Sequence, residues 1–186
     1  LSAEDRSRFV NCVFKNCIII NNAFTEFIGC TFYDCVNHSI TEGYSVVSFS
    51  NWAYLQQDIT PISVNQSGSI KISNSIAIAK TTANASCFFP FMTVLTDGFA
   101  EVDTFTLTDN VNATNVAQLV TSIKGTLTLS NIEVIGGNST LPVVHIEESV
   151  LRFKSFLNTS TGAGSILNAI SSTIIFDSFI LDDCLL

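Results

Sequence analysis

Basic residues are scarce in this chain. Lysine and arginine together number 8 of 186 residues, against 16 aspartates and glutamates, for a formal net charge of −8. A nucleic-acid partner needs a basic stripe that displaces counterions from phosphates, and the sequence has none. An anionic membrane surface is disfavoured for the same reason. Charged residues of both signs amount to only 13 %, about half the usual share. Methionine and tryptophan occur once each and proline three times. The excess of Ala, Glu, Lys, Leu and Arg that marks long helices and coiled coils is missing. No apolar run of about 18 residues occurs, so no membrane-spanning helix and no membrane insertion are expected. No signal peptide is visible. The opening Leu1-Ser2-Ala3-Glu4-Asp5 lacks an initiator methionine, and the chain reads as an internal piece of a longer or processed protein.

What is abundant points to strands. Hydrophobic residues make up 47 %, which excludes disorder. Serine and threonine total 41, asparagine 16 and phenylalanine 15. β-branched, aromatic and small hydroxyl residues suit pleated strands and tight turns. Residues 1–186 are enough for one domain with a buried core.

One motif recurs: apolar, any, apolar, any, small polar, apolar, any, apolar. It begins at Cys12, Cys30, Val47, Ile70, Ala100, Leu127, Leu151 and Ile174, with spacings of 18, 17, 23, 30, 27, 24 and 23 residues. A constant motif at variable spacing is how a solenoid behaves, with fixed strands and one loop that absorbs insertions. Apolar-x-apolar is a short strand with one buried face, and the next apolar pair belongs to a second strand. Between them falls a corner residue: Asn16, Asp34, Asn51, Asn74, Thr104, Asn131, Ser155 or Ser178. Asparagine and aspartate tolerate the left-handed backbone of a sharp corner, so a polar corner ladder is expected. Third strands are expected upstream of each motif, at Ile62 and Val64, Met92 and Val94, Leu119, Val144 and Ile146, and Ile166 and Ala169. The pattern predicts an all-β parallel β-helix of about eight coils, roughly 35–40 Å long at about 4.8 Å per coil. Phe14, Phe32, Phe49, Ile72, Val102, Leu129, Phe153 and Phe176 would stack inside it. An antiparallel sandwich would want hairpin dipeptides, and Asp97-Gly98 is the only one.

Cys12-x-Phe14-x-Asn16-Cys17 and Cys30-x-Phe32-x-Asp34-Cys35 resemble coils of the right-handed parallel β-helix, or pectin-lyase-like, superfamily. They are similar to polymorphic outer-membrane-protein-like surface repeats. The resemblance and the usual chirality of parallel connections imply a right-handed β-helix. The superfamily includes polysaccharide lyases and hydrolases, tailspikes and adhesins, so the likeness alone does not choose a function.

Sequons occur at Asn37, Asn65, Asn84, Asn112, Asn138 and Asn158. Asparagine, serine and threonine are common enough here for several to arise by chance. Asn84, Asn112 and Asn138 nevertheless all fall in the variable loop, where glycans would line one edge of the rod. Cys12 and Cys30 occupy equivalent positions in neighbouring coils, as do Cys17 and Cys35. A coil spacing of about 4.8 Å allows disulfides 12–30 and 17–35, and equally a column of buried thiols. A metal site is not expected, because the Cys-x4-Cys spacing is loose and His38 is the only imidazole nearby.

No catalytic residues and no cofactor are expected. Lys71 beside Glu101, and Lys154 beside Asp177, read as ion pairs between coils. Glu101 and Asp103 are close enough to share a cation and read better as a solvated acidic pair. His38 and His145 fall about four coils apart. Trp52, Tyr54, Tyr33 and Tyr44 gather in two coils, where exposed rings could stack on sugars; the motif puts Trp52 and Tyr54 in the core. Phe88-Phe89-Pro90-Phe91-Met92 is a core cap or a contact patch. The expected function is that of a non-enzymatic structural module of an extracellular surface or fibre glycoprotein, stacking end to end on further coils or on its own copies. The alternatives are a carbohydrate-active β-helix enzyme, with Glu101 as its test residue, and a glycan-binding adhesin module.

Overall fold

A computed structural model describes residues 6–34, 36–55, 59–80, 89–109, 118–135, 142–158 and 166–178. All regular structure among them is β-strand. The first pass of the chain makes β1 (Arg6–Val10), β2 (Val13–Phe14) and β3 (Ile18–Asn21). The second makes β4 (Phe24–Ile28), β5 (Thr31–Tyr33) and β6 (Asn37–Ile40), and the third β7 (Tyr44–Ser48), β8 (Asn51–Leu55) and β9 (Ile62–Val64). Later passes fuse their first two strands. They are β10 (Ser69–Lys80) with β11 (Met92–Leu95), and β12 (Phe99–Asp109) with β13 (Val120–Ile123). Next come β14 (Thr126–Ile135) with β15 (Val144–Glu147), and β16 (Val150–Asn158) with β17 (Leu167–Ile170). β18 (Thr173–Phe176) opens the eighth pass.

Each pass pairs in parallel with the one before it. Column one runs β1-β4-β7-β10-β12-β14-β16-β18. Column two starts β2-β5-β8 and continues along the second halves of β10, β12, β14 and β16; the two columns form one 11-stranded sheet. Column three is a 7-stranded sheet, β3-β6-β9-β11-β13-β15-β17. Parallel strands need a long return connection, and the other two strands of each pass supply it. The fold is all-β with parallel sheets, compatible with a parallel β-helix.

The inward row of column one is Phe9, Phe27, Val47, Ile72, Val102, Leu129, Phe153 and Phe176. The expected stack is therefore right from Ile72 onward and wrong before it. Phe14 and Phe32 belong to column two, where they stack on Trp52. Phe49 is not in the core; it sits at a corner, 64 % exposed. The corner ladder needs the same correction. Asn11, Gly29, Phe49, Asn74, Thr104 and Asn131 hold positive φ between columns one and two. Asn74, Thr104 and Asn131 are thus placed as expected. Asn16 also has positive φ, but it follows β2 and donates its N–H to the carbonyl of Asp34 at the turn toward column three. Asn51 opens β8, past the corner.

The corner from column three back to column one is built on glycine. Ser69, Phe99, Thr126 and Val150 donate their N–H to the carbonyls of Gly43, Gly68, Gly98 and Gly125 at 2.9–3.0 Å. Gly43 is pressed against the previous pass: a Cβ there would lie 2.5 Å from the Ala23 carbonyl oxygen and 2.7 Å from its nitrogen. Both are backbone atoms already held by hydrogen bonds, the oxygen by Tyr44 N–H and the N–H by Asn21 Oδ1, so they do not readily swing aside. Gly43→Ala is expected to cost about 2–3 kcal/mol, read as a lower urea midpoint; an unchanged midpoint would refute the close approach.

Candidate functional site

The six sequons divide between described and undescribed residues. Asn37 opens β6 on its outward side and is partly exposed, though its Oδ1 is buried without a hydrogen bond. Asn65 is partly exposed at the glycine corner. Asn158 is the last residue of β16. Asn84, Asn112 and Asn138 lie outside the described residues; in sequence each falls between a column-two strand and the following column-three strand.

Cys12 and Cys30 do lie at one position of successive passes, since Thr31 donates its N–H to the Cys12 carbonyl. They are free thiols, so the 12–30 disulfide is not formed; Cys17 is also free, and Cys35 is outside the described residues. The column continues beyond the cysteines. Its next members are Ser50 and Ser75, and all four side chains make one contact. Cys12, Cys30, Ser50 and Ser75 each donate to the carbonyl two residues before, Val10, Ile28, Ser48 and Ser73, at 3.5, 3.7, 3.0 and 2.7 Å. The serine oxygens also accept from the preceding pass: Cys30 N–H donates to Ser50 Oγ and Ser50 N–H to Ser75 Oγ, both at 3.1 Å. The Cys30 thiol also lies 3.5 Å from the Phe9 carbonyl of the preceding pass. Burial raises the Cys30 thiol pKa, which keeps it protonated as a donor. Serines at the glycine corner repeat the device: Ser149 Oγ donates to the Glu147 carbonyl and accepts from Gly125 N–H. Ser50→Ala is expected to cost about 2 kcal/mol by orphaning the buried Cys30 N–H, whereas Ser50→Cys should cost less than half of that in the same denaturation.

A second buried group links the columns. Asn21 Nδ2 donates to Ser45 Oγ at 2.7 Å, and Thr25 Oγ1 donates to Asn21 Oδ1 at 3.0 Å. Ser45 Oγ lies 3.0 Å from His38 Nε2. His38 is only 1 % exposed, packs edge-on against Phe27, and leaves Nδ1 without a partner. Desolvation pushes its pKa down to about 4, so it is neutral at ordinary pH. His145 lies four passes on, faces outward and bonds Glu147 Oε1 at 2.9 Å, so the two imidazoles are separate as expected.

The outer surface of column one carries charge in pairs. Lys71 Nζ reaches Glu101 Oε1 at 3.0 Å, as expected, and this carboxylate is the main reason the Lys71 pKa is raised. Asp177 pairs not with Lys154 but with Arg152, through two bonds of 2.8 and 3.0 Å. An irregular register between β14 and β16, which pairs Ser130 with Ser155, displaces Lys154. The Arg152 guanidinium holds the Asp177 carboxyl below its ordinary pKa. Asp103 accepts from Asn131 Nδ2 at 2.9 Å and from Thr104 Oγ1 at 3.3 Å, so Glu101 and Asp103 have separate partners. Among the described residues no group of three His, Cys, Asp or Glu side chains is placed to hold a metal.

The aromatics sort by column. Trp52 and Tyr54 are 3 % exposed and belong to the core. Phe91 is core as well, against Trp52, Tyr54 and Phe105, while Phe89 is exposed. Tyr33 and Tyr44 face solvent. Tyr33 lies under the Lys15 ammonium at 4.7 Å and lines a shallow cleft of about 190 Å³ with Lys15, Asn16 and Asp34. Tyr44 stands beside Phe24 at 5.7 Å, and the Arg6 guanidinium covers Phe24 at 5.1 Å. The outward phenylalanines Phe24 and Phe99 were not legible as surface residues, because phenylalanine in a strand motif reads as core. No protein-family model, curated protein or solved structure matches the chain.

Proposed function

We propose that the chain is a right-handed parallel β-helix that acts as a non-enzymatic structural module of an extracellular surface or fibre glycoprotein, stacked end to end on further coils of its own chain or of a neighbouring copy. The observation that carries this reading is the in-register parallel pairing of column one through eight passes. Such a stack transmits tension along a continuous set of backbone hydrogen bonds. Its outer passes leave pairing capacity unused among the described residues: β1, β2 and β3 pair on one side only, as do β17 and β18. Inward-facing Phe9 and Phe176 are 36 % and 51 % exposed there, although their counterparts Phe27 and Phe153 are fully buried. Unpaired parallel edges above a half-covered apolar row suit another coil. The chirality of parallel connections and the superfamily resemblance support the right-handed part of this reading. The sequons support the glycoprotein part, and peptide mass spectrometry of native material tests it: bare asparagines at all six would remove that support.

The stacking is tested by sedimentation velocity across a concentration series. The chain is expected to associate as concentration rises. Ser7→Lys places charge on the inward side of β1, two residues before Phe9, and Phe176→Lys places it on the inward row of β18; each should abolish association while far-UV circular dichroism stays unchanged. A strictly monomeric chain at high concentration would overturn the stacking.

A further inference from the structure

Cys12 and Cys30 are the one pair of thiols that the described residues place at the same position of neighbouring passes. The Thr31 N–H bond to the Cys12 carbonyl, 2.9 Å long, fixes one above the other. Their side chains share one conformation, each sulfur turned to the carbonyl two residues before, at 3.5 and 3.7 Å. Equivalent side chains in one conformation stand one strand spacing apart, which puts about 4.8 Å between the two sulfurs. The Cys30 sulfur also faces the first pass, at the Phe9 carbonyl, and the Cys12 thiol acts on it electrostatically.

That spacing has a chemical meaning. A disulfide needs sulfurs about 2 Å apart. A metal–thiolate bond is about 2.3 Å long, so an ion set in line between two sulfurs spans about 4.6 Å. The column holds its thiols at the distance of a bridged pair. Thiolates favour Cu(I) and zinc among the first-row ions. Zinc takes four ligands, and among the described residues no third His, Cys, Asp or Glu joins the pair. Cu(I) is satisfied by two thiolates in a line. The carbonyl oxygens of Phe9, Val10 and Ile28 surround the sulfurs, and the single Cys30 proton can serve only one of the two that face it. Oxygens so placed suit positive charge at the sulfurs. Cys12 is partly exposed and Cys30 is buried, so the ion has a way in through Cys12 and a shielded seat beyond it.

We propose that Cys12 and Cys30 bind one Cu(I) ion as a two-coordinate bridge between the first and second passes. The two thiol protons leave to solvent as the ion takes both sulfurs, with no change of oxidation state. The bound ion staples the two passes together. The site goes beyond the structural role and does not depend on end-to-end stacking, because both ligands belong to one chain.

The test is an anaerobic titration of the intact chain with Cu(I) in competition with the chromogenic chelator bicinchoninate. Serine holds this position in the next two passes, as Ser50 and Ser75, so Cys12→Ser and Cys30→Ser are expected to fold, with far-UV circular dichroism as the check. The unmodified chain should withhold one equivalent of Cu(I) more than either variant. The double variant should lose no more than each single one, because the two thiols share one ion. Saturating Cu(I) should also protect Cys12 from N-ethylmaleimide, read by peptide mass spectrometry, and should not protect it in Cys30→Ser. Equal uptake by the unmodified chain and the variants, losses that add in the double variant, or Cys12 labelling undiminished by copper would each overturn the proposal.

Discussion

Trp52→Ala is expected to destabilise the chain by about 4 kcal/mol, the middle of the range for removing a large buried aromatic. Trp52 is 3 % exposed and fills a place that no neighbour can take over. Below it Phe32 stacks at 5.0 Å with an interplanar angle of 15°, and Phe14 stacks below that. Beyond it, at the same position of the next pass, is Ala77, whose small side chain leaves room in the core. Phe91, just before β11, packs edge-on against Trp52 at 5.3 Å, and Phe105 lies 5.0 Å from Phe91. Loss of the indole therefore removes a partner from Phe32, Phe91 and Phe105 together. The strands around it are fixed by their ladders and cannot close on the cavity. Trp52→Phe keeps the stack on Phe32 and should cost about 1–2 kcal/mol. Urea unfolding followed by far-UV circular dichroism separates the two, since alanine removes the only tryptophan and with it the fluorescence signal. A loss under about 1.5 kcal/mol for Trp52→Ala would mean that the core collapses locally, against the rigid packing described above.

The pass length and the strand class were legible in the sequence because apolar-x-apolar pairs recur wherever a strand has one buried face. From Ile72 onward the expected inward row is the observed one. In the first three passes it is not, and the buried polar cluster is the cause. Column one there begins Ser7-x-Phe9, Thr25-x-Phe27 and Ser45-x-Val47, with a hydroxyl residue at the first inward position. Thr25 and Ser45 are buried because they bond Asn21 and His38, which no alternation pattern encodes. The apolar motif therefore slides one strand along, to Cys12-x-Phe14 and Cys30-x-Phe32. The corner ladder holds at Asn74, Thr104 and Asn131, where Asn131 and Ser155 bond each other across passes, and fails before them for a related reason. Asparagine marks left-handed backbone well, as at Asn74 and Asn131. Other residues that bridge the passes, such as Ser50, Ser75 and Ser149, are serines, and serine is too common in this chain to stand out.

The same polar cluster gives the largest expected pH effect. His38 titrates near 4 in the folded chain and near 6.5 when unfolded. The unfolded chain therefore binds a proton more readily across that interval, and stability must fall as pH falls. The contribution is fully present above about 6.5 and is lost as pH drops toward 4. At about 1.4 kcal/mol per pH unit the loss is about 3 kcal/mol. The local chemistry fits that sign. Ser45 accepts from Asn21, so in the network its own proton points at His38 Nε2. A proton on Nε2 would reverse that bond and strand the Ser45 hydroxyl. The groups that contact the imidazole, Ser45 and Phe27, carry no charge, so nothing there compensates the imidazolium. Urea midpoints at pH 7.5, 6, 5 and 4.5 should decline steadily for the unmodified chain. His38→Met places at this position the residue found two passes later, Met92, and should flatten the decline. His145→Gln, which alters only the outward histidine beside Glu147, should leave the decline in place. Equal slopes in the unmodified chain and in His38→Met would show that the acid sensitivity lies elsewhere, and the buried cluster would then be a structural bridge with no bearing on pH.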